Sequence, residues 1–316
     1  MIRSCIGIDT SCYTTSVACV SDEGIVFEKR TMLSVPLGTR GLRQSEAMFQ
    51  HVRNLPLLMQ TLFLQIDRRS IESVAVSATP TAAPDSYMPV FLAGRMAAVS
   101  AAAALDRPLI ETTHQAGHVR AALFGNEDLL DGDRILALHL SGGTTDVLLV
   151  SLKNRRLDVI EPIGGSEDLH AGQFVDRMGV RLGLPFPSGV LLEQLANTAT
   201  KRDIRLPSTV RELRCSLSGQ ETQAQRYYEA GIERAEIAYA VYDCLGRTVG
   251  KLIEAAIKRY GSLPVLLSGG VSGSELLRVI LKTRTEQNLR FAHSGLSSDN
   301  AVGAAFLALD RGSSYA

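Results

Sequence analysis

Ile8-Asp9-Thr10-Ser11-Cys12-Tyr13-Thr14-Thr15-Ser16-Val17 and Leu138-His139-Leu140-Ser141-Gly142-Gly143-Thr144-Thr145-Asp146-Val147 decide the fold of this 316-residue chain. Each stretch leaves an apolar strand, turns on a serine, reaches threonine and enters a second strand. A third strand follows in both places, Ile25–Glu28 after the first and Leu157–Ile160 after the second. Each copy then continues into helix, strand and helix. A repeat at an interval of about 130 residues points to duplication. The reading predicts an α/β protein of two domains. One covers 1–128 and is completed by a C-terminal helix at 300–316. The other covers 129–299 and carries a helical insertion.

The elements around these hairpins follow from spacing. Met48, Val52, Leu55, Leu58 and Leu62 recur at helical intervals, so a helix is expected over 44–65, with a kink or a break at Pro56. An Ala-rich helix at 88–105 leads to a strand at Pro108, and a further helix runs from His114 to Leu123. In the second half, helices are expected at 168–182, 192–198, 232–259 and 274–284. Strands are expected at 135–140, 146–152 and 265–267 and near Phe291, and a last helix starts at Asn300. A repeated β-β-β-α-β-α unit resembles the duplicated plan of the actin, Hsp70 and sugar-kinase superfamily (ribonuclease H-like), whose two hairpins face an interdomain cleft.

Composition narrows the class. Hydrophobic residues are 45% and charged residues 21%, which excludes a mostly disordered chain. No apolar run approaches the ~18 residues of a membrane helix, and the N-terminus turns polar too early for a signal peptide. Thirty-three basic and 33 acidic residues balance, so any nucleic-acid contact must use a local patch. The five cysteines are odd in number and form no CxxC, which suits free thiols in a reducing cytoplasm. Cys12 reads as a small packing residue rather than a nucleophile.

Three constellations carry chemistry. Ser141-Gly142-Gly143-Thr144-Thr145 and Ser268-Gly269-Gly270-Val271-Ser272-Gly273 are glycine-rich turns. Each follows a strand, and the second precedes a helix, so backbone amides are offered to an anion. Neither is a P-loop. In equivalent places of a duplicated fold they point to a nucleotide. His114-Gln115-Ala116-Gly117-His118 places two imidazoles on one helix face, a spacing that suits a divalent transition metal or two ordinary helix histidines. A protease helix needs Glu directly after the first His, and Gln115 excludes that reading. Asp299 is a third ligand or the N-cap of the last helix. Asp9, at a buried strand tip, meets Mg²⁺ or a water, or starts a turn. His51, His139, His170 and His293 read as packing or end residues. The arginines at 40, 43, 53, 202, 205, 211 and 214 read as solvated surface rather than an RNA patch.

Read in order, these segments resemble the tRNA threonylcarbamoyl-adenosine transferase family (TsaD, formerly called O-sialoglycoprotein endopeptidase or glycoprotease), with this chain a divergent member. The similarity runs through Gly7-Ile8-Asp9-Thr10-Ser11-Cys12, His51-Val52-Arg53-Asn54-Leu55-Pro56, the His114/His118 pair and Leu140-Ser141-Gly142-Gly143. It continues through Ala171-Gly172-Gln173-Phe174-Val175-Asp176, Phe186-Pro187-Ser188-Gly189, Ser216-Leu217-Ser218-Gly219, Gly269-Gly270-Val271-Ser272 and Ser298-Asp299-Asn300. The resemblance implies an iron or zinc ion on His114, His118 and Asp299. It implies an adenylate or ATP-type nucleotide, with Mg²⁺ as a companion ion, at Ser141, Gly142, Gly143, Thr144, Asp176, Gly189, Glu193, Gly270 and Ser274. Asp9 and Ser11 become the catalytic candidates. The implied activity transfers a threonylcarbamoyl group from its adenylate to the exocyclic amine of an anticodon-loop adenosine in tRNA. The implied setting is the cytoplasm, with a small paralogous protein and an ATPase as partners and no membrane.

Several positions depart from the family pattern. Its acidic pair after the first cysteine is Tyr13 and Thr14. Its histidine after Ser-Gly-Gly is Thr144, its Glu before Gly in the metal helix is Ala116, its Lys is Glu221 and its ribose-contacting Asn is Ser274. Its Gly-Pro-Gly turn is replaced around Ala82–Asp85. A phenol does not serve as a base near neutral pH without a large pKa shift. The alternative expectation is therefore a paralog that keeps nucleotide and metal but acts on another acceptor, or regulates without turnover.

Overall fold

The computed structural model describes residues 3–11, 13–36 and 42–312. Cys12 and Arg40, both weighed above, lie outside them. The chain divides into two compact units. Unit 1 is Met1–Val35, Gly41–Phe124 and Asp299–Ala316, and unit 2 is Pro36–Arg40 and Gly125–Ser298.

Unit 1 is built on strands β1 (Ser4–Ser11), β2 (Thr14–Ser21), β3 (Gly24–Met32), β4 (Ile71–Thr79) and β5 (Leu109–Thr113), in sheet order β3-β2-β1-β4-β5. β1 pairs antiparallel with β2 and parallel with β4. Every residue of β1 and β2 is buried, because helices cover both faces of the sheet. Helices α1 (Gln44–Gln65) and α2 (Phe91–Leu105) supply Leu55, Leu58, Leu62, Ala98 and Ala102 to a core with Ile6, Ile8, Val17, Val74 and Val76. Helices α3 (His114–Ala122) and α9 (Val302–Gly312) complete the unit, α9 lying on β1, β2 and β4.

The expected break at Pro56 does not occur, and α1 is one helix of 22 residues. Pro56 lies on the exposed side, so the hydrogen bond it forgoes, to the carbonyl of exposed Val52, opens to water. The buried stripe is Ala47, His51, Leu55, Leu58 and Leu62. It sits one residue round from the expected Met48 and Val52, which brings His51 inside.

Unit 2 repeats the plan. Strands β6 (Arg134–Leu140), β7 (Thr145–Lys153), β8 (Arg156–Ser166), β11 (Val265–Ser268) and β12 (Leu289–Phe291) stand in the order β12-β11-β6-β7-β8. That is the unit 1 order with the same parallel and antiparallel pairings. The sheet is extended beyond β8 by a hairpin the sequence reading did not anticipate, β9 (Thr209–Arg211) and β10 (Arg214–Ser216). Helices α4 (Ala171–Arg181), α5 (Gly189–Asn197), α6 (Ser218–Glu229), α7 (Arg234–Tyr260) and α8 (Glu275–Lys282) follow the chain. α6 was also unanticipated. The 27-residue α7 is the spine of this unit, buried on most of its circumference from Ala235 to Ile253. Its buried Asp243 accepts from Arg247 at 2.8 Å and Arg284 at 2.9 Å, so neither charge is stranded. Among the described residues no helix is long and apolar enough to cross a membrane.

Candidate functional site

Unit 1 brings together four residues from three distant stretches of chain. Thr113 caps α3, its Oγ1 accepting from the Ala116 amide at 3.1 Å, so the helix starts at His114 and its first two turns carry both histidines. α9 crosses α3 closely: a Cβ on Gly303 would overlap the Gly117 carbonyl. Arg120 of α3 fastens the crossing, with its Nε 2.7 Å from Asp310 Oδ2 and its guanidinium 4.6 Å from the centre of the Phe306 ring. The loop leading into α9 therefore sets Asp299 against α3. Just ahead of α9, Asn300 Oδ1 accepts from the Val302 amide at 3.1 Å, while Asp299 turns its Oδ1 toward the histidines.

The resulting cluster is tight. His118 Nε2 lies 3.0 Å from His114 Nε2 and 3.2 Å from Asp299 Oδ1. His114 Nε2 is 3.5 Å from the same oxygen. Asp9 stands behind, with Oδ2 2.8 Å from His114 Nδ1 and Oδ1 accepting from the Ser11 amide at 3.0 Å. Because a carboxylate only accepts, His114 donates from Nδ1 to Asp9, and its Nε2 faces His118 and Asp299. Ligand atoms of His114, His118 and Asp299 all fall within 4.8 Å of one another. Two imidazole nitrogens and a carboxylate oxygen facing one point are held together by a positive charge among them, either a shared proton or a metal ion. That donor set fits a first-row divalent ion such as iron or zinc. Burial opposes charge throughout the cluster. Asp9 and Asp299 nevertheless raise His114 well above its ordinary pKa. Burial and the neighbouring His114 charge lower His118. Against burial, the two histidines draw Asp299 well below the usual carboxylate range. Ser11 is buried beside this cluster, and its Oγ has no hydrogen-bond partner among the described residues.

Unit 2 holds a cavity of about 420 Å³, within the range of small-molecule sites. Gly142, Asp176, Gly189, Glu193, Gly270 and Ser274 line it. Ser141, Gly143 and Thr144 belong to the adjoining turn, where Ser141 Oγ accepts from the Gly143 and Thr144 amides at 3.2 and 3.1 Å. An anion there competes with that hydroxyl for the two amides. α4 begins against this turn: a Cβ on Gly172 would stand 2.5 Å from the Gly142 nitrogen. Burial raises Asp176, although its Oδ1 accepts from the Ser188 amide at 2.7 Å. Glu193 Oε1 and Ser274 Oγ accept from the Leu276 and Leu277 amides at 2.7 and 3.2 Å, so both also cap α8.

The sequence reading missed Tyr242, which lines the cavity and donates its hydroxyl to the Gly189 carbonyl at 2.9 Å. On α7 it is indistinguishable by spacing from core residues. His51, read as a packing residue, is fully buried, with Nδ1 2.8 Å from Thr15 Oγ1. Glu221, the charge reversal noted above, is matched by Arg177 at 3.2 Å.

Two sheets of one strand order, each flanked by helices, define an α/β protein of the actin-like and sugar-kinase-like class. Solved structures share this fold. Component A of the (R)-2-hydroxyglutaryl-CoA dehydratase from Acidaminococcus fermentans is 15% identical, covers 98% of this chain and 99% of its own, and has a TM-score of 0.60. A ROK family protein from Streptococcus pneumoniae is 12% identical, with 99% and 100% covered and a TM-score of 0.57. Residues 33–306 match the family model of TsaD, tRNA N6-adenosine threonylcarbamoyltransferase, and the chain belongs to that family. A protein of that name from Methanopyrus kandleri is 29% identical over 304 residues, 94% of this chain and 84% of its own. A probable bifunctional tRNA threonylcarbamoyladenosine biosynthesis protein from Methanocaldococcus jannaschii is 28% identical over 289 residues, 91% of this chain. The chain spans 51% of that bifunctional relative's length.

Proposed function

We propose that the protein is a cytoplasmic tRNA-modifying enzyme that transfers a threonylcarbamoyl group from threonylcarbamoyl-adenylate to N6 of an anticodon-loop adenosine. The observation that carries this reading is the convergence of His114, His118 and Asp299 behind an Asp9 that fixes the His114 tautomer, in a chain of this family. These three residues would hold one iron or zinc ion. When bound, the ion supplies Lewis-acid polarisation of the carbamoyl carbonyl. Asp9 keeps the proton on His114 Nδ1 and so presents a neutral donor nitrogen. The Ser11 hydroxyl, buried and with no hydrogen-bond partner among the described residues, is a candidate proton relay in unit 1. In unit 2, Gly142, Gly189 and Gly270 bring backbone close to the adenylate, while Asp176 and Glu193 offer carboxylates to its hydroxyls. Tyr242 steadies the Gly189 turn. Exposed apolar side chains on α1 and α2, among them Phe49, Leu64 and Met96, suit a protein partner.

A second reading is favoured by Tyr13, Thr14 and Thr144, which put no carboxylate or imidazole where the family pattern has them. It makes the protein a metal- and nucleotide-binding paralog with another acceptor or a regulatory role. One reconstitution separates the two. Protein, metal, threonylcarbamoyl-adenylate, unmodified tRNA and partner proteins from the same cell are combined, and nucleosides are quantified by mass spectrometry. Modified adenosine above the enzyme-free control is expected. Its absence from protein that still binds metal and adenylate selects the paralog.

A further inference from the structure

The segment at 200–208 is laid along α7 by a series of hydrogen bonds. Glu236 accepts from the amides of Thr200 and Lys201 at 2.9 Å and of Arg202 at 2.6 Å. Further along the helix, Arg247 donates to the Leu206 carbonyl at 2.6 Å and Lys251 to the Ser208 carbonyl at 2.7 Å. From Glu236 to Lys251 the segment follows the helix for about 22 Å, at 1.5 Å rise per residue. It then enters the β9–β10 hairpin, where Arg211 and Arg214 are direct register partners. The hairpin is fixed to β8, since Gly165 donates to the Leu213 carbonyl at 2.8 Å and Glu167 to the Cys215 carbonyl at 2.9 Å.

The segment and hairpin carry Lys201, Arg202, Arg205, Arg211 and Arg214, and α7 adds Lys251, all exposed, with exposed Asp203 and Glu212 among them. None of the six cations is ion-paired among the described residues. Elsewhere in unit 2, Arg177, Arg181, Arg247, Arg284 and Arg290 each hold an acidic partner. Placing two arginines opposite one another on paired strands is unfavourable unless an anion joins them. Arg202 lies 4.5 Å above the Tyr239 ring, which fixes its plane. No large apolar side chain is exposed along residues 200–216, so the face lacks the apolar core of a protein interface. Arginine forks on a rigid frame match phosphate oxygens.

We infer that the β9–β10 hairpin, with Arg211 and Arg214 side by side, docks the sugar-phosphate backbone of RNA, where the sequence alone reads solvated surface. The inference rests on the tRNA-modifying reading and adds where the substrate is gripped. Contacts of this kind position an RNA without reading its sequence.

The test is binding of labelled, unmodified tRNA transcript to the full-length chain across a KCl series. Arg211→Gln/Arg214→Gln is compared with Arg211→Lys/Arg214→Lys, and with Arg3→Gln/Arg107→Gln, the same charge change on unit 1. The first variant is expected to bind about tenfold more weakly at low salt. Its slope of log affinity against log salt flattens by roughly 1.5, the loss of two phosphate contacts. The lysine variant keeps the slope, and the unit 1 variant matches wild type. Wild-type affinity and slope in the glutamine variant overturn the inference. So does an equal loss in the unit 1 variant, or a wild-type chain with no salt-dependent binding. Product formation is scored separately. Binding lost with the arginines in a wild type that makes no product retains the face and removes the reaction, and the converse result removes the face alone.

Discussion

Asp9 does two things with one carboxylate: it accepts from the Ser11 amide and it holds His114 Nδ1. An Asp9→Asn side chain keeps the shape but offers an amide nitrogen or a neutral oxygen to the imidazole. The expected result is a 10- to 100-fold loss of metal affinity with His114, His118 and Asp299 in place. Competitive chelator titration measures it, and unchanged affinity would show that Asp9 has no part in holding the ligand. The His114/His118 spacing was legible in the sequence because a helix of known period fixes it. The Asp9–His114 contact was not, because it joins residues 105 positions apart and no local pattern encodes it. Likewise, a carboxylate ahead of a helix reads as a cap. Only the structure shows Asn300 bonding at the start of α9 and Asp299 facing the histidines.

At the level of elements, the α3–α9 crossing fixes the geometry of the cluster. Gly303→Ala inserts a methyl group where two backbones meet, and an overpacked contact of this kind costs about 1–3 kcal/mol. Chemical denaturation should show that loss. Metal affinity should fall with it, because Asp299 enters the site from the chain just ahead of α9. A variant with wild-type stability would mean the helices part without cost. The two β-hairpins were legible because their strands are apolar and their turns are marked by serine and glycine. β9 and β10 were not. Three-residue strands with arginine at the outward positions bury only Cys215 and part of Val210, too little apolar pattern to read as a sheet. Pro56, expected to kink or break α1, does not break it. Its effect depends on which side of α1 faces water, which the sequence alone does not state.

For the whole molecule, equal numbers of acidic and basic residues leave no net charge near pH 7, and general repulsion builds only as the carboxylates protonate, below about pH 5. Individual buried groups add to it. Burial lowers His51 from its ordinary 6.5 to about 4. The unfolded chain therefore takes up a proton that the folded protein refuses. The stability this confers is complete above pH 6.5 and is lost as pH falls through about 4. The loss amounts to roughly 3 kcal/mol at 1.36 kcal/mol per pKa unit. Unfolding free energies between pH 7 and 4 should decline for wild type and flatten for His51→Gln. Parallel curves would assign the acid sensitivity to other groups. Duplication was legible at this scale because the same strand order is written twice. The membership of α9 in unit 1 was expected only from the resemblance in overall plan. That membership sets a timetable. Unit 1 takes residues from both sides of unit 2, and its third ligand is translated 181 positions after His118. A ribosome-bound chain with both histidines already exposed still lacks the helix that closes the site. An ion held by all three proposed ligands therefore waits until Asp299 and α9 have been made.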